Sequence, residues 1–153
     1  MPTEPYFYDY MTIRTVGRFN EDFYKGFGFE TYGELVQSMG LRLEMKLSQL
    51  SSGMAAKLKL AVALSRDAKL VMLDEPLNGI DLIARDVVLS SIIKKSNDNN
   101  TVLISSHLVD VVENILDDVI FIKDGSIVLT GNAEEVRQTH GKSIVDLYKE
   151  VFK

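Results

Sequence analysis

The chain has 153 residues, of which 46% are hydrophobic and 25% charged, enough to build one domain with a buried core. Its net charge of −5 argues against a nucleic-acid-binding surface, because phosphate backbones attract a basic excess. Cysteine is absent, which excludes disulfides and thiolate metal sites. The apolar runs are too short to span a bilayer, and the first residues do not resemble a signal peptide. We therefore expect any membrane association to depend on a partner.

The first 67 residues are predicted to be mainly helical. Residues 1–10 combine prolines with aromatic side chains, which is typical of an irregular segment. Capping residues and helical periodicity then predict three helices: one after Thr12 that extends to about Tyr24, one over 32–39 that stops at Gly40, and one after Ser51 or Ser52 that reaches about Arg66.

From residue 68 onward, predicted strands alternate with helices. Leu70–Leu73 is short, apolar and bounded by charge and proline, so it is predicted to be a buried strand. The later predicted elements are a helix over 81–95 capped by Asp81, a strand over 101–105, an amphipathic helix over 108–116, a hairpin over 119–130 that turns at Asp124-Gly125, and closing helices capped by Asn132 and Ser143.

This order predicts an α/β fold whose sheet is mostly parallel, with the hairpin near its edge. A helical lobe precedes the sheet, and we place the boundary near Ala68. The predicted division is a helical subdomain at 1–67 and the α/β part at 68–153.

Two adjacent carboxylates, Asp74 and Glu75, directly follow the first predicted strand. Ligands of parallel sheets bind at the carboxyl edge, and successive side chains of an extended segment point in opposite directions. Asp74 can then hold Mg²⁺ while Glu75 faces an attacking water, a division that suits phosphoryl transfer. The alternative is a strand that simply ends in solvent with two charges, and the pair alone does not decide between them.

Two further segments are candidates for phosphate contacts. Ser51-Ser52-Gly53 opens a predicted helix, where free N–H groups attract anions, although an ordinary N-cap is the simpler explanation. His107 follows a strand predicted to be parallel to the first, so we expect it near Glu75, where an imidazole can bind a terminal phosphate or its attacking water. A structural or merely exposed histidine is the alternative. Asp81 can cap its helix and also face a second subunit.

Gly141-Lys142-Ser143 imitates the end of a phosphate-binding loop, Gly-x-x-x-x-Gly-Lys-Ser/Thr. The first glycine of that pattern would fall at position 136, which is Val136, and the preceding segment is predicted to be helical rather than a strand. We therefore reject a phosphate-binding loop at this position.

In this order and spacing, Leu50–Met54, Leu70–Pro76, Asn78–Asp81 and His107 resemble the nucleotide-binding domain of ABC transporters, over about residues 1–135. The resemblance implies a P-loop NTPase (ABC ATPase) sheet without its N-terminal part, and ATP and Mg²⁺ as ligands. It assigns Glu75 and His107 as catalytic residues, Asp74 as the metal ligand in the Walker B strand, and the signature motif and D-loop as nucleotide contacts, namely Leu50, Ser51, Ser52, Gly53, Met54 and Asp81.

Three positions depart from the family pattern. Ser52 replaces a usual glycine of the signature motif, and Met54 replaces a usual glutamine. Pro2–Pro5 falls where the family's Q-loop ends, but its glutamine is absent, and Thr3 or Glu4 is the nearest equivalent.

The resemblance further implies the ATP-binding subunit, in part, of an ABC transporter that couples ATP binding and hydrolysis to transport across a membrane. The implied partners are transmembrane permease subunits and a second ABC ATPase domain, with no nucleic acid. The implied location is cytoplasmic, on the inner face of the cell membrane. Because the Walker A phosphate loop does not occur in the sequence, we expect this chain alone to be nearly inactive.

One alternative is a non-catalytic regulatory or interaction fragment that docks on a complete ABC ATPase through Ser51–Gly53 and Asp81. Another is an ABC-type ATPase acting on DNA or ribosomes, a class that usually shows coiled coils, tandem domains or basic stretches. This sequence has none of those three features. A partial sheet is also expected to leave an unpaired edge and uncovered apolar faces.

Overall fold

The computed structural model describes residues 7–97 and 99–153. Its described residues belong to two compact units, Met1–Ser105 and Ser106–Lys153. The predicted end of a Q-loop at Pro2–Pro5, with Thr3 and Glu4, lies outside the described residues. The division into 1–67 and 68–153 remains a prediction.

The first unit contains four α-helices, one 3₁₀ helix and two strands within its described residues. In chain order these are α1 (Ile13–Phe23), α2 (Phe29–Ser38), a short 3₁₀ helix (Leu47–Gln49), α3 (Ser52–Leu64), β1 (Leu70–Asp74), α4 (Leu82–Lys95) and β2 (Thr101–Ser105). The predicted helices and strands of this region are therefore confirmed to within a few residues.

The predicted caps set the starts of three of these helices. The Thr12 hydroxyl accepts a hydrogen bond from the Thr15 N–H at 3.2 Å. Ser51 and Asp81 act in the same way at the starts of α3 and α4. A cap satisfies an N–H group that the first helical turn leaves without a partner, so short-range sequence is enough to locate these boundaries.

β1 and β2 form a parallel pair whose register runs from Leu70 opposite Thr101 to Asp74 opposite Ser105. Side chains of β1 alternate between buried and exposed, and Met72 is 65% exposed. The prediction of a buried strand is therefore correct for only one of its two faces. Only one face packs into the core, and the expected uncovered apolar face is formed by Leu70, Met72 and Leu103.

The helical part of this unit packs around a fully buried tyrosine. The Tyr32 hydroxyl donates a hydrogen bond to the Ile13 carbonyl at 2.8 Å, and burial raises the pKa of its phenol. Gly17 lies directly against the ring: a Cβ there would be 2.4 Å from Tyr32 Cε1. α1 and α2 can approach this closely only because position 17 has no side chain.

The second unit contains α5 (Val109–Val112), a 3₁₀ turn (Glu113–Ile115), β3 (Asp118–Lys123), β4 (Ser126–Asn132), α6 (Ala133–His140) and α7 (Ile144–Val151). Its core is a cluster of six buried apolar side chains: Val109, Val119, Phe121, Val136, Ile144 and Leu147. The predicted α/β class is confirmed for the chain as a whole.

The hairpin forms as predicted, with φ of 51° at Asp124 and 76° at Gly125, and among the described residues β3 and β4 pair only with each other. Its position near the edge of the parallel sheet stays a prediction. One prediction for this unit needs correction. The helix predicted over 108–116 is replaced by one short α-helical turn and a 3₁₀ turn. At that 3₁₀ turn, Glu113 accepts hydrogen bonds from Arg137 and from the Ile144 N–H.

Gly141-Lys142-Ser143 joins two helices and does not follow a strand. Gly141 ends α6 at a φ of 62°, and the Ser143 hydroxyl caps α7 by accepting from the Asp146 N–H at 3.0 Å. Lys142 pairs with Glu150 at 2.6 Å. Helix capping accounts for the segment, in agreement with the rejection of a phosphate-binding loop there.

The Gly17 contact makes a testable prediction about stability. Gly17→Ala is expected to lower the free energy of unfolding by about 1–3 kcal/mol, because the new methyl group overlaps the Tyr32 ring. Gly33→Ala on α2 is the matched control, since nothing lies within 4 Å of its Cβ position. Helix propensity then predicts a gain of about 0.5–1 kcal/mol. Urea unfolding measures both, and equal effects of the two substitutions would contradict the packing described for α1 and α2.

Candidate functional site

Asp74 and Ser105 lie side by side at the carboxyl edge of the parallel pair, because they are register partners at the ends of β1 and β2. The Ser105 hydroxyl donates a short hydrogen bond to Asp74 Oδ1. The Glu75 N–H donates to the Ser105 carbonyl at 2.9 Å and so extends the ladder by one residue. Asp74 is exposed and Glu75 is half-buried. The structure thus places both carboxylates at the edge where parallel sheets bind ligands.

Glu75 has a φ of 45°, in the left-handed region that non-glycine residues rarely adopt. It is therefore not part of the extended strand, and the prediction that Asp74 and Glu75 alternate like neighbouring strand residues is wrong. The Asn78 N–H donates to the Glu75 carbonyl at 3.1 Å, so a turn begins at Glu75. Such a conformation costs about 1–3 kcal/mol and is found mostly at functional sites.

The turn continues into the loop 78–81, which is anchored by buried apolar side chains and by a hydrogen bond from α4. Leu77 and Ile80 are buried, and the Arg85 Nε atom donates to the Ile80 carbonyl at 3.3 Å. Asn78 and Gly79 are exposed at the tip. The apolar anchors fix the loop, while its polar tip stays accessible.

The first turn of α3 presents exposed serines. The Ser51 hydroxyl accepts from the Met54 N–H at 3.3 Å, and the first helical backbone bond runs from Ala55 N–H to the Ser51 carbonyl at 2.8 Å. The N–H groups of Ser52 and Gly53 precede that bond and have no acceptor within the helix. Ser51 and Ser52 are exposed, whereas Leu50, Gly53 and Met54 are half-buried. This helix start can therefore receive an anion.

The turn of α3 and the loop 78–81 contact each other within one chain. A Cβ at Gly53 would be 2.6 Å from the Gly79 carbonyl oxygen, which shows how closely the two backbones approach. Lys57 Nζ lies 3.0 Å from Asp81 Oδ2. The hydrogen bond from Lys57, and then that from the Ala84 N–H, hold the pKa of Asp81 below its usual value. All of these residues belong to the first unit.

His107 belongs to the second unit, where it is exposed and lies two residues beyond Ser105 along the chain. The Ser106 hydroxyl beside it accepts from the Leu108 N–H at 3.1 Å. The convergence of His107 with Asp74 and Glu75 stays a prediction. His140 is also exposed, at the end of α6.

No role was predicted from the sequence for Ser105 or for Lys57. Ser105 could have been found from strand register, because it ends the strand predicted to neighbour β1. Lys57 gives no such signal, since its partner Asp81 is 24 residues away and on another helix.

Within residues 7–97 and 99–153, no group of three or more His, Asp and Glu side chains could hold a metal ion. Mg²⁺ does not require such a cage, because it usually takes one or two carboxylates together with water and phosphate oxygens. Asp74, exposed at the strand end beside Glu75, fits that donor set.

Among the described residues, none of the helices combines the length and the hydrophobicity of a membrane-spanning segment.

Comparison with known proteins identifies the family. The protein-family model described as ABC transporter matches residues 29–78, which include α3, β1 and both carboxylates. The ATP-binding protein MlaF of an intermembrane phospholipid transport system in Haemophilus influenzae is 36% identical over 118 residues, which cover 74% of this chain. The chain belongs to the ABC transporter ATP-binding family.

Solved structures of ABC proteins show the same fold. The structure of an ATP-binding subunit of an ABC transporter superposes with a TM-score of 0.83, covering 99% of this chain and 67% of that one at 24% identity. The dimeric structure of the bacterial ABC transporter cassette MJ0796 has a TM-score of 0.69 over 83% of this chain and 59% of that one, at 20% identity. The chain spans 44% of the length of MlaF, so it corresponds to part of such a protein.

The cap at Asp81 generates a prediction about pH. Because the folded-state pKa of Asp81 is lowered, its contribution to stability is present above the ordinary pKa of 3.8 and is lost as the pH falls through the folded-state value. Asp81→Asn keeps a cap but has no charge, so its stability deficit is expected to shrink below about pH 4. Urea midpoints measured from pH 7 to pH 3 check this.

Asp81→Ala is the companion variant, because it removes the cap as well as the charge. It is expected to be less stable than Asp81→Asn at every pH at which the chain folds. A deficit of Asp81→Asn that stays constant across the whole range would contradict the charge-assisted contact with Lys57.

Proposed function

We propose that this chain is part of the ATP-binding subunit of an ABC transporter, which couples ATP binding and hydrolysis to the movement of a substrate across a membrane. The observation that carries the proposal is the end of β1, where Asp74 and Glu75 lie beside Ser105 at the carboxyl edge of a parallel strand pair. Membership of the ABC family supplies the chemistry for which such an edge is suited.

Asp74 and Glu75 take different parts in this proposal. Asp74 would hold Mg²⁺, which would supply charge neutralisation on the transferred phosphoryl group. Glu75 would orient the attacking water and accept its proton, and its left-handed backbone takes it out of the extended strand. The Ser105 hydroxyl, bonded to Asp74 Oδ1, fixes the orientation of that carboxylate. His107 completes the catalytic set by hydrogen bonding the terminal phosphate.

The start of α3 and the loop 78–81 contact nucleotide and a second domain. Ser51, Ser52 and Gly53 offer hydroxyl and N–H donors to phosphate oxygens, with Leu50 and Met54 flanking them. Asp81 faces a second ABC ATPase domain, paired head to tail with the first. The dimeric arrangement of MJ0796, whose fold this chain shares, supports the choice of partner.

The remaining partners are transmembrane permease subunits, which would hold the protein on the cytoplasmic face of the cell membrane. The support is that MlaF is named as the ATP-binding protein of a transport system. We further propose that the 153-residue chain on its own binds ATP weakly, because its sequence contains no Gly-x-x-x-x-Gly-Lys-Ser/Thr segment to cradle the phosphates.

Turnover of Mg-ATP tests the proposal. The 153-residue chain is expected to hydrolyse almost no ATP. Where the reading frame continues upstream into a phosphate loop, the longer protein is expected to be active and to lose about 100-fold or more of its kcat with Glu75→Gln. His107→Ala is expected to lower kcat as well, whereas the matched controls Glu30→Gln and His140→Ala, at exposed positions on α2 and α6, are expected to retain it.

Two results would overturn this function. One is robust ATP turnover by the longer protein that survives Glu75→Gln. The other is a reading frame that has no upstream phosphate loop together with a chain that binds a complete ABC ATPase, which would support the non-catalytic fragment instead.

A further inference from the structure

The contact between α3 and the loop 78–81 links the two parts of the candidate site that belong to the first unit. On one side is the Ser51–Gly53 turn, and on the other is the loop that follows Glu75. Between them lie two direct contacts: Gly53 against the Gly79 carbonyl, and Lys57 against Asp81.

We propose that Lys57 is a positioning residue: it holds Asp81 and the loop 78–81 against α3, so that the Ser51–Gly53 turn and the turn at Glu75 move as one body. The inference rests on the proposed function, because it concerns how the two parts of that site are coupled within a chain. In this role Lys57 does not itself contact the nucleotide.

The surroundings of the two charges make this contact more constrained than an ordinary surface ion pair. The Lys57 side chain is only 13% exposed, whereas that of Asp81 is 62% exposed. Because most of the lysine side chain is packed, its ammonium group reaches Asp81 with little freedom to move. The other Asp81 oxygen accepts from the Ala84 N–H at 2.9 Å, so Asp81 is fixed to α4 at the same time.

The backbone contact acts in the same direction. Any side chain at Gly53 would have to displace the Gly79 carbonyl, which is backbone and has little room to give. Gly79 itself has a φ of 75°, which favours glycine in the facing loop. The loop 78–81 is therefore restricted twice: by the steric contact at Gly53 and by the charged contact at Lys57. These two residues lie about one helical turn apart on α3.

Rigid coupling has a direct consequence for the loop. The hydrogen bonds from Asn78 N–H to the Glu75 carbonyl and from Ile80 N–H to the Leu77 carbonyl connect the loop to Glu75. A displacement of the α3 turn is thus transmitted through Asp81 and Gly79 to the backbone of Glu75. In the proposed ATPase, closure of a second domain onto Ser51–Gly53 would reposition the water-binding carboxylate.

Amide hydrogen exchange on the 153-residue chain without nucleotide tests this, so its outcome is independent of ATP turnover. Lys57→Gln is expected to raise exchange about three- to tenfold at hydrogen-bonded amides of the loop and of the two helix starts, namely those of Asn78, Ile80, Ala84, Met54 and Ala55. Amides of α1 and α2 are expected to stay unchanged. Lys57→Arg is expected to restore protection, because it keeps the charge. Lys94→Gln, at an exposed position in the last turn of α4, is the control and is expected to leave all of these amides unchanged.

Gly53→Ala tests the second contact with the same loop, the close approach of Gly53 to the Gly79 carbonyl. It is expected to raise exchange at 78–81 although Lys57 is intact. The proposal is overturned if Lys57→Gln leaves the loop protected, if it raises exchange equally throughout the first unit, or if Lys57→Arg fails to restore protection.

Discussion

The parallel pairing of β1 with β2 is the constraint on which the candidate site depends. Its register sets Asp74 opposite Ser105, and one further hydrogen bond, from Glu75 N–H to the Ser105 carbonyl, carries the pairing to the point where the chain turns. A shift of one residue would move both carboxylates and reverse the buried and exposed faces of β1. Val71 and Leu73 on the buried face therefore stabilise the position of the acids as well as the fold.

The loop after Glu75 shows how a strained conformation is maintained. Glu75 pays a backbone penalty for its left-handed φ, and that penalty is offset by contacts that only this turn can make. Leu77 and Ile80 are buried, Arg85 binds the Ile80 carbonyl, and Asp81 begins α4. The acid is thus held by a well-packed turn, which would fix its geometry for the proposed catalytic role.

Short-range features of the sequence predicted most of the fold. Thr12, Ser51 and Asp81 locate helix starts because a cap involves residues only three positions apart. The hairpin follows equally well from Asp124-Gly125. The prediction of one continuous helix over 108–116 was wrong. Apolar periodicity carries no information about the hydrogen bonds that Glu113 accepts from Arg137 and from the Ile144 N–H.

The candidate site was less predictable than the elements that carry it. The sequence indicates Asp74 and Glu75, but not the left-handed turn at Glu75, since no glycine or asparagine marks it. Lys57 owes its role to a partner 24 positions away on another helix, which only the packed structure brings near it. Ser105 lies 31 positions from Asp74, but the pairing of the two predicted strands is enough to indicate that contact. The place of His107 relative to the acids is still an expectation from the family pattern.

The exposed side of β1 has a chemical consequence for the 153-residue chain. Met72 is 65% exposed, whereas Met39 in the helical core is 4% exposed, so oxidants in solution reach the Met72 thioether first. Conversion to the sulfoxide would place a polar, chiral group two residues before Asp74, on a face otherwise lined by Leu70 and Leu103. Any polypeptide surface that packs on this face in the cell would therefore also shield it from peroxide.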